Sequence, residues 1–469
     1  MNADGQGPEP VAGPSEALRA LPQVQKLLET PQAQALLQDY GREIVVDALR
    51  AAVDKARTAL RAGGQPPDID TLTSRAAEVL ALGARPHLQR VINATGVILH
   101  TNLGRAPLPA AALEAMARAG LGYSNLEFDL EEGARGGRAA GVEPLLCELT
   151  GAEAALVVNN AAAAVLLALS GLAAGSEVIV SRGELVEIGG GFRIPEVVAQ
   201  GGARLVEVGT TNKTRVDDYR RAIGEQTRVL LKVHQSNYRI IGFTGEASLS
   251  ELSALAHERG LLLMHDLGSG ALADLAKLGR ASEPRAQDSL CAGADLVAFS
   301  GDKLMGGPQA GILVGRASVL APLRRHPLMR ALRLDKATLA ALEATLRLYR
   351  DPVRAAREIP VLRMLAQTSE DVAARAARLA GLLEAVVPAD IRPSEAQVGG
   401  GSLPGEALAS WSLALGETDA EAEALAARLR SGVTPVAGRL SGGRLLLDLF
   451  TVADEEVVDL ATAVRGAHG

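Results

Sequence analysis

The sequence predicts an α/β protein, a doubly wound and mostly parallel sheet preceded by a small helical domain and followed by a smaller α+β domain. Three observations carry this. Between residues 91 and 330, short apolar runs alternate with helical stretches at roughly 30-residue spacing, the pattern of strands joined by right-handed crossovers. Upstream, apolar residues recur at helical spacing. Downstream, helices mix with alternating strands. A chain of 469 residues is too long for one small core, so two or three domains are expected.

Taken in order, residues 1–14 are polar, acidic and rich in Gly and Pro, and read as a disordered start without the basic and apolar regions of a signal peptide. Residues 15–90 read as the helical domain. Leu18, Leu21, Val24, Leu27 and Leu28 mark one apolar face, and Ile44, Val45, Ala48, Leu49 and Ala52 another. Thr30-Pro31 starts a helix with proline at its first position. Composition alone fits a dimerisation or packing module. Residues 91–335 form the large domain, with strands expected at 155–158, 177–180, 204–208, 229–233, 261–264, 296–299 and 310–314. Residues 336–469 form the smaller domain, with the glycine-rich segment 399–404 between its elements as a linker or a loop facing a cleft.

Composition narrows the function. The charged fraction is 22% and the apolar fraction 48%, as in a soluble globular protein. With aromatics at 2%, stacking of bases on rings has little to work with, and a net charge of −7 argues against a coat for nucleic acid. A local basic surface remains, where Arg324, Arg325, His326, Arg330 and Arg333 stand with Asp335 as the only nearby acid. Cys147 and Cys291 exclude a disulfide scaffold and a Cys-rich zinc site, and free thiols fit a reducing cytoplasm. The longest apolar stretch, residues 161–174, is too short to span a bilayer.

The chemistry concentrates at strand ends. Lys303 follows the apolar run Leu296-Val297-Ala298-Phe299 and precedes a glycine-rich turn. A Schiff base with pyridoxal phosphate is one reason to bury a lysine there, since an imine removes much of the burden of an interior ammonium. Ser300 is placed to hydrogen-bond a phosphate. Read alone, the same lysine also fits an ordinary turn. Leu261-Leu262-Leu263-Met264 reads as a strand buried on both faces, delivering His265 and Asp266 to its C-terminal end, where ligands bind in open α/β sheets. A carboxylate there can pair with a protonated pyridine nitrogen, an attraction of about 4 kcal/mol at ~4 Å and an effective dielectric of about 20. Alone, Asp266 reads more readily as a cap on the following turn, and it is the lysine on the next strand end that favours the cofactor. Asn160 with Ala161 fits either a phosphate at a helix start or a plain cap. His234 and Asn237 are candidates to touch the cofactor, and isolated histidines are also common in cores. Arg105 fits a clamp on phosphate or carboxylate, or an ordinary surface arginine.

Several strings together resemble the L-seryl-tRNA(Sec) selenium transferase family, the bacterial selenocysteine synthases. They are Asn93-Ala94-Thr95-Gly96 with residues 100–105, residues 183–190 and 209–214, His234-Gln235-Ser236-Asn237-Tyr238, His265-Asp266-Leu267-Gly268, and the stretches 300–311 and 399–404. The resemblance covers nearly the whole chain. It implies an aminotransferase-like type I pyridoxal phosphate fold, with Lys303 as the Schiff-base lysine and Asp266 as partner of the ring nitrogen. It implies that Arg105, Arg330 and Arg333 bind the phosphate of selenophosphate, that seryl-tRNA(Sec) is gripped by the N-terminal domain, and that the subunits form a homodecamer in the cytoplasm. The implied reaction passes through a dehydroalanyl intermediate, with Lys303 as base and Asp302 protonating or positioning the leaving hydroxyl. The competing expectation is a pyridoxal-dependent lyase or sulfur transferase acting on a small amino acid.

Overall fold

The computed structural model describes residues 18, 19, 21–84, 86–384 and 387–468. The expected disordered start, residues 1–14, lies outside these. The chain divides into two compact units, residues 1–90 and 91–469.

The first unit is helical. Helices Val24–Leu28, Pro31–Tyr40, Arg42–Arg61 and Ile69–Ala84 bury Leu27, Val45, Leu49, Val53, Leu72 and Ala76 against one another. Thr30 Oγ1 accepts from Ala33 N at 3.2 Å and caps the helix that Pro31 opens. Gly41, at φ +76°, turns the chain between two helices, a conformation natural for glycine.

The second unit is built on a seven-stranded sheet: β1 Ala154–Val158, β2 Glu177–Ser181, β3 Arg204–Val208, β4 Thr227–Val233, β5 Leu262–Gly268, β6 Leu296–Ser300 and β7 Gly311–Gly315. Its order is β1-β7-β6-β5-β4-β2-β3. The ladders linking β6, β5, β4, β2 and β3 are parallel, and β7 runs antiparallel to both its neighbours. The exception has a simple cause. Residues 301–310, which join β6 to β7, are fewer than a parallel crossover needs. Central strands β6 and β7 are buried throughout. Alternate residues therefore feed two cores. Leu263, Val297, Phe299 and Ile312 pack on one face, and Met264, Ala298 and Leu313 on the other, under helix Ala161–Leu172.

A four-stranded antiparallel sheet follows, with β8 Asp390–Gly399, β9 Ser402–Leu415, β10 Arg439–Ser441 and β11 Arg444–Asp448 in the order β8-β9-β11-β10. The segment expected to lead into the large domain joins this sheet's surroundings instead. Ile92–Asn93 pairs with Val436–Ala437, and Ile98 N donates to Gln397 O at 3.0 Å. The glycine-rich segment 399–401 is the tight β8–β9 turn, with all three glycines at positive φ. A Cβ on Gly400 would lie 2.7 Å from that of Leu99, and one on Gly401 would lie 3.0 Å from Ser236 Oγ. The turn therefore packs closely against the large sheet's loops, which rules out the linker reading.

Candidate functional site

The parallel strands bring the C-terminal ends of β1, β2, β4, β5 and β6 to one edge, which collects Asn160, Glu184, His234, Asp266 and Lys303. Side-chain alternation sorts the two residues at the end of β5. His265 turns to one face, where its Nδ1 meets Ser289 Oγ at 2.8 Å, and burial drives its pKa down to about 3. It is a satisfied core histidine. Asp266 turns with Met264 to the face under helix Ala161–Leu172. A register shift lies between Asp266 and Gly268, the kind of bulge that re-aims a strand end.

Lys303 sits in the turn after β6 and is buried. Among the described residues its Nζ has neither a hydrogen-bond partner nor a carboxylate within 4.0 Å. Burial, then the Arg105 guanidinium, depresses its pKa, while Asp266, Asp302 and Glu283 oppose that shift. Asp266 is itself pushed up to about 6 by burial, against the pull of Lys303 and the Gly268 N–H. A buried amine and a buried carboxyl thus face one site, and neither holds a direct counter-ion.

The neighbours of Lys303 form a small polar network. The Ser300 hydroxyl donates to Asp302 Oδ1 at 2.5 Å. Arg105 NH1 donates to Asp302 Oδ2 at 2.7 Å, so both carboxylate oxygens accept. Held this way, Asp302 fixes the Arg105 guanidinium beside Lys303. Arg105 occupies φ +63°, strained for a residue with a Cβ, which its ion pair with Asp302 and its N–H bond to His100 O hold in place.

Asn160 caps helix Ala161–Leu172, its side chain accepting from Ala163 N at 2.8 Å. The first-turn N–H groups of Ala161 and Ala162 are those a helix leaves without an intrahelical carbonyl. Gly311 lets β7 run against this start, since a Cβ there would lie 1.9 Å from Asn160 O. Asn159 N donates to Leu332 O at 2.8 Å, which ties helix Leu328–Leu332, carrying Arg330, and the following Arg333 to the same strand end. Arg330 is exposed, and Arg333 lies 3.8 Å from Glu127. The rest of the basic cluster is partly neutralised, because Arg324 pairs with Glu143.

Asn237 is exposed and donates to Glu187 O at 2.8 Å, so its amide is already engaged. His234 does reach the site. Its backbone N–H donates to Asp266 O at 2.9 Å, and burial of the ring, with Lys232 and Lys303 nearby, lowers its pKa to about 4. Sequence reasoning missed two carboxyls here. Glu184 is buried, with Lys232 Nζ at 2.9 Å and Val233 N at 2.9 Å, and Lys232 also meets Glu246 at 3.0 Å. Glu283, buried beside His234, comes from a polar loop with no periodic signal. A cavity of about 520 Å³ in the C-terminal part, lined by Asp390, Glu421, Arg428 and His468, contains none of these residues.

This donor set fits pyridoxal phosphate on three counts: an unpaired buried amine, a buried carboxyl on the adjacent strand, and a close-packed helix start with N–H groups turned outward. Comparison with known proteins agrees. A family model described as L-seryl-tRNA selenium transferase matches residues 91–453. The chain belongs to this family. A second model, selenocysteine synthase N terminal, matches residues 18–57. The L-seryl-tRNA(Sec) selenium transferase of Geobacter sulfurreducens is 50% identical over 452 residues, 95% of this chain and 98% of its own. That of Hyphomonas neptunium is 51% identical over 454 residues, 96% and 98% of the two chains. Among solved structures, D-glucosaminate-6-phosphate ammonia-lyase matches with a TM-score of 0.57 at 23% identity, covering 83% of this chain and 98% of that one. That likeness speaks for the fold alone, and the fold is aminotransferase-like, as the resemblance implied. No described helix is long and apolar enough to cross a membrane.

Proposed function

We propose that this chain converts L-seryl-tRNA(Sec) to L-selenocysteinyl-tRNA(Sec), taking selenium from selenophosphate in the cytoplasm. Family membership over residues 91–453 supports the reaction, and the unpaired, buried Lys303 facing Asp266 is the observation that carries it to specific residues. Pyridoxal phosphate, when bound, would supply an electron sink for the charge left at Cα when its proton is removed, ahead of loss of the serine β-hydroxyl.

The chain's own residues do the rest. Lys303 would carry the cofactor, and its depressed pKa favours the neutral amine that a base must be. Asp266 would hold a cationic ring nitrogen, which in turn relieves the isolation of its own carboxyl. The helix start at Ala161 would take the cofactor phosphate. Arg330, exposed and without a carboxylate partner among the described residues, and the loosely paired Arg333 would take the donor's phosphate through charge-assisted bonds, with Arg105 steered by Asp302. The helical unit, residues 15–90, would grip the tRNA, and the subunits would assemble as a homodecamer.

The test is turnover of seryl-tRNA(Sec) with selenophosphate by purified protein, set beside free serine and bulk seryl-tRNA. Selenocysteinyl-tRNA(Sec) is expected only from the cognate tRNA. Lys303→Ala should lose both turnover and the cofactor's visible absorbance. Turnover of free serine in preference to the tRNA ester would overturn the assignment.

A further inference from the structure

Buried polar atoms without hydrogen-bond partners gather around the loop that follows β4. His234 Nδ1, Ser236 Oγ, Glu283 Oε1 and Ser402 Oγ are all buried and unpartnered among the described residues. Such atoms are rare in folded proteins, and each calls for an explanation. Glu283 is the charged member, and it stands on a loop that is firmly held. Arg280 donates to Leu365 O and to Gln367 O, both at 2.7 Å, and lies over the Phe450 ring at 6.0 Å. Ala281 N donates to Glu406 Oε1 at 3.1 Å. The loop therefore presents the Glu283 carboxyl at a fixed place, with its Oε1 3.9 Å from His234 Nδ1.

We propose that Glu283 is a positioning residue that holds the His234 ring and decides which of its nitrogens carries the proton. A neutral imidazole has one N–H and one acceptor nitrogen, and the partner of one nitrogen fixes the state of the other. His234 is held neutral by its burial. An ionised Glu283 accepts from Nδ1–H and leaves Nε2 an acceptor; a protonated Glu283 donates to Nδ1 and leaves Nε2 carrying hydrogen. Either bond forms when 3.9 Å closes by less than about 1 Å, a rotamer adjustment of one side chain. The groups facing this pair are Lys232, Glu246, Lys303 and His265 around His234, and Ser269, the Leu403 N–H, Lys303 and Glu406 around Glu283. Burial raises the Glu283 pKa, against the hydrogen bonds from Ser269 and the Leu403 N–H and the charge of Lys303.

The inference rests on the reading above, in which Lys303 carries the cofactor. The full chain loaded with pyridoxal phosphate is compared as wild type, Glu283→Ala and Glu283→Gln, by visible circular dichroism of the bound chromophore and by turnover across pH. Glu283→Ala should lose much of the chromophore's dichroism and about tenfold in turnover, the equivalent of one lost hydrogen bond of about 1.4 kcal/mol. Glu283→Gln, which can still hold the ring but cannot titrate, should keep the dichroism and lose one limb of the pH profile. Wild-type dichroism and pH profile in Glu283→Ala overturns the proposal. So does equal damage in both variants with an unchanged pH profile, which marks a residue that only fills space. Where Glu283→Ala does not fold, the pH profile of Glu283→Gln decides. Absence of any visible band in the wild type refutes the cofactor reading itself, which keeps the two failures apart.

Discussion

Asp266 offers a test of the site's electrostatics before any substrate is added. Its carboxyl is buried, and burial lifts its pKa from 3.8 to about 6. The folded chain then binds this proton more tightly than the unfolded chain does. Its contribution to stability is complete below the unfolded value and is lost as pH rises through the folded one. A shift of roughly two units corresponds to about 3 kcal/mol, of which about 1.4 kcal/mol disappears between pH 5 and pH 8. Asp266→Asn keeps the shape and cannot ionise, so it removes this dependence. Urea unfolding of cofactor-free wild type and variant, run in parallel from pH 5 to pH 8, isolates the effect as a difference, since other titrating groups cancel. The variant should gain on wild type by about 1.4 kcal/mol over that range. A difference that stays flat with pH would refute a buried, counter-ion-free carboxyl at this position. Pyridoxal phosphate should reverse the ranking, because only an ionised Asp266 can pair with a cationic ring nitrogen.

Three further outcomes follow from the same geometry. Arg105→Ala removes the main neighbouring charge that depresses Lys303, so the acid limb of the pH–rate profile should move to higher pH; an unmoved limb counts against Lys303 as the base. Glu184→Ala leaves the mostly buried Lys232 ammonium with the more exposed Glu246 alone and Val233 N without its acceptor, and the urea midpoint should fall by the equivalent of about 2 kcal/mol, with Glu184→Gln recovering part of it. Gly311→Ala drives a methyl into Asn160 O, and pyridoxal phosphate affinity, measured by fluorescence titration, should fall about tenfold for each charged hydrogen bond displaced at the helix start.

Much of the architecture was legible because strands buried on both faces leave unbroken apolar runs, and Leu261-Leu262-Leu263-Met264 and Leu296-Val297-Ala298-Phe299 did so. Orientation was not legible. The residues of β7 look like those of any buried strand, and its reversal follows from the short connection before it. At the site, Lys303 and Asp266 stood out as polar residues closing apolar strands. The hydrogen bond from Ser300 to Asp302 joins side chains two residues apart, and spacing alone did not reveal it. Glu283 gave no sign at all, since it lies in the polar segment Ala281-Ser282-Glu283-Pro284, and only tertiary packing buries it. The glycines 399–401 looked like a linker by composition, and what they provide is close approach to Leu99 and Ser236.

The reversed strand also bears on how the chain is made. β1 is an edge strand whose sole partner in the sheet is β7, and Val158 pairs with Gly311, about 150 residues later in synthesis. As the nascent polypeptide leaves the ribosome, β2 to β5 can associate early, whereas β1 waits with its hydrogen-bonding edge uncovered. The helix start at Ala161 and the amine of Lys303 are joined through the same late ladder. Capacity to retain the cofactor should therefore emerge only once residue 315 has cleared the exit tunnel, making its capture a natural marker of completed folding.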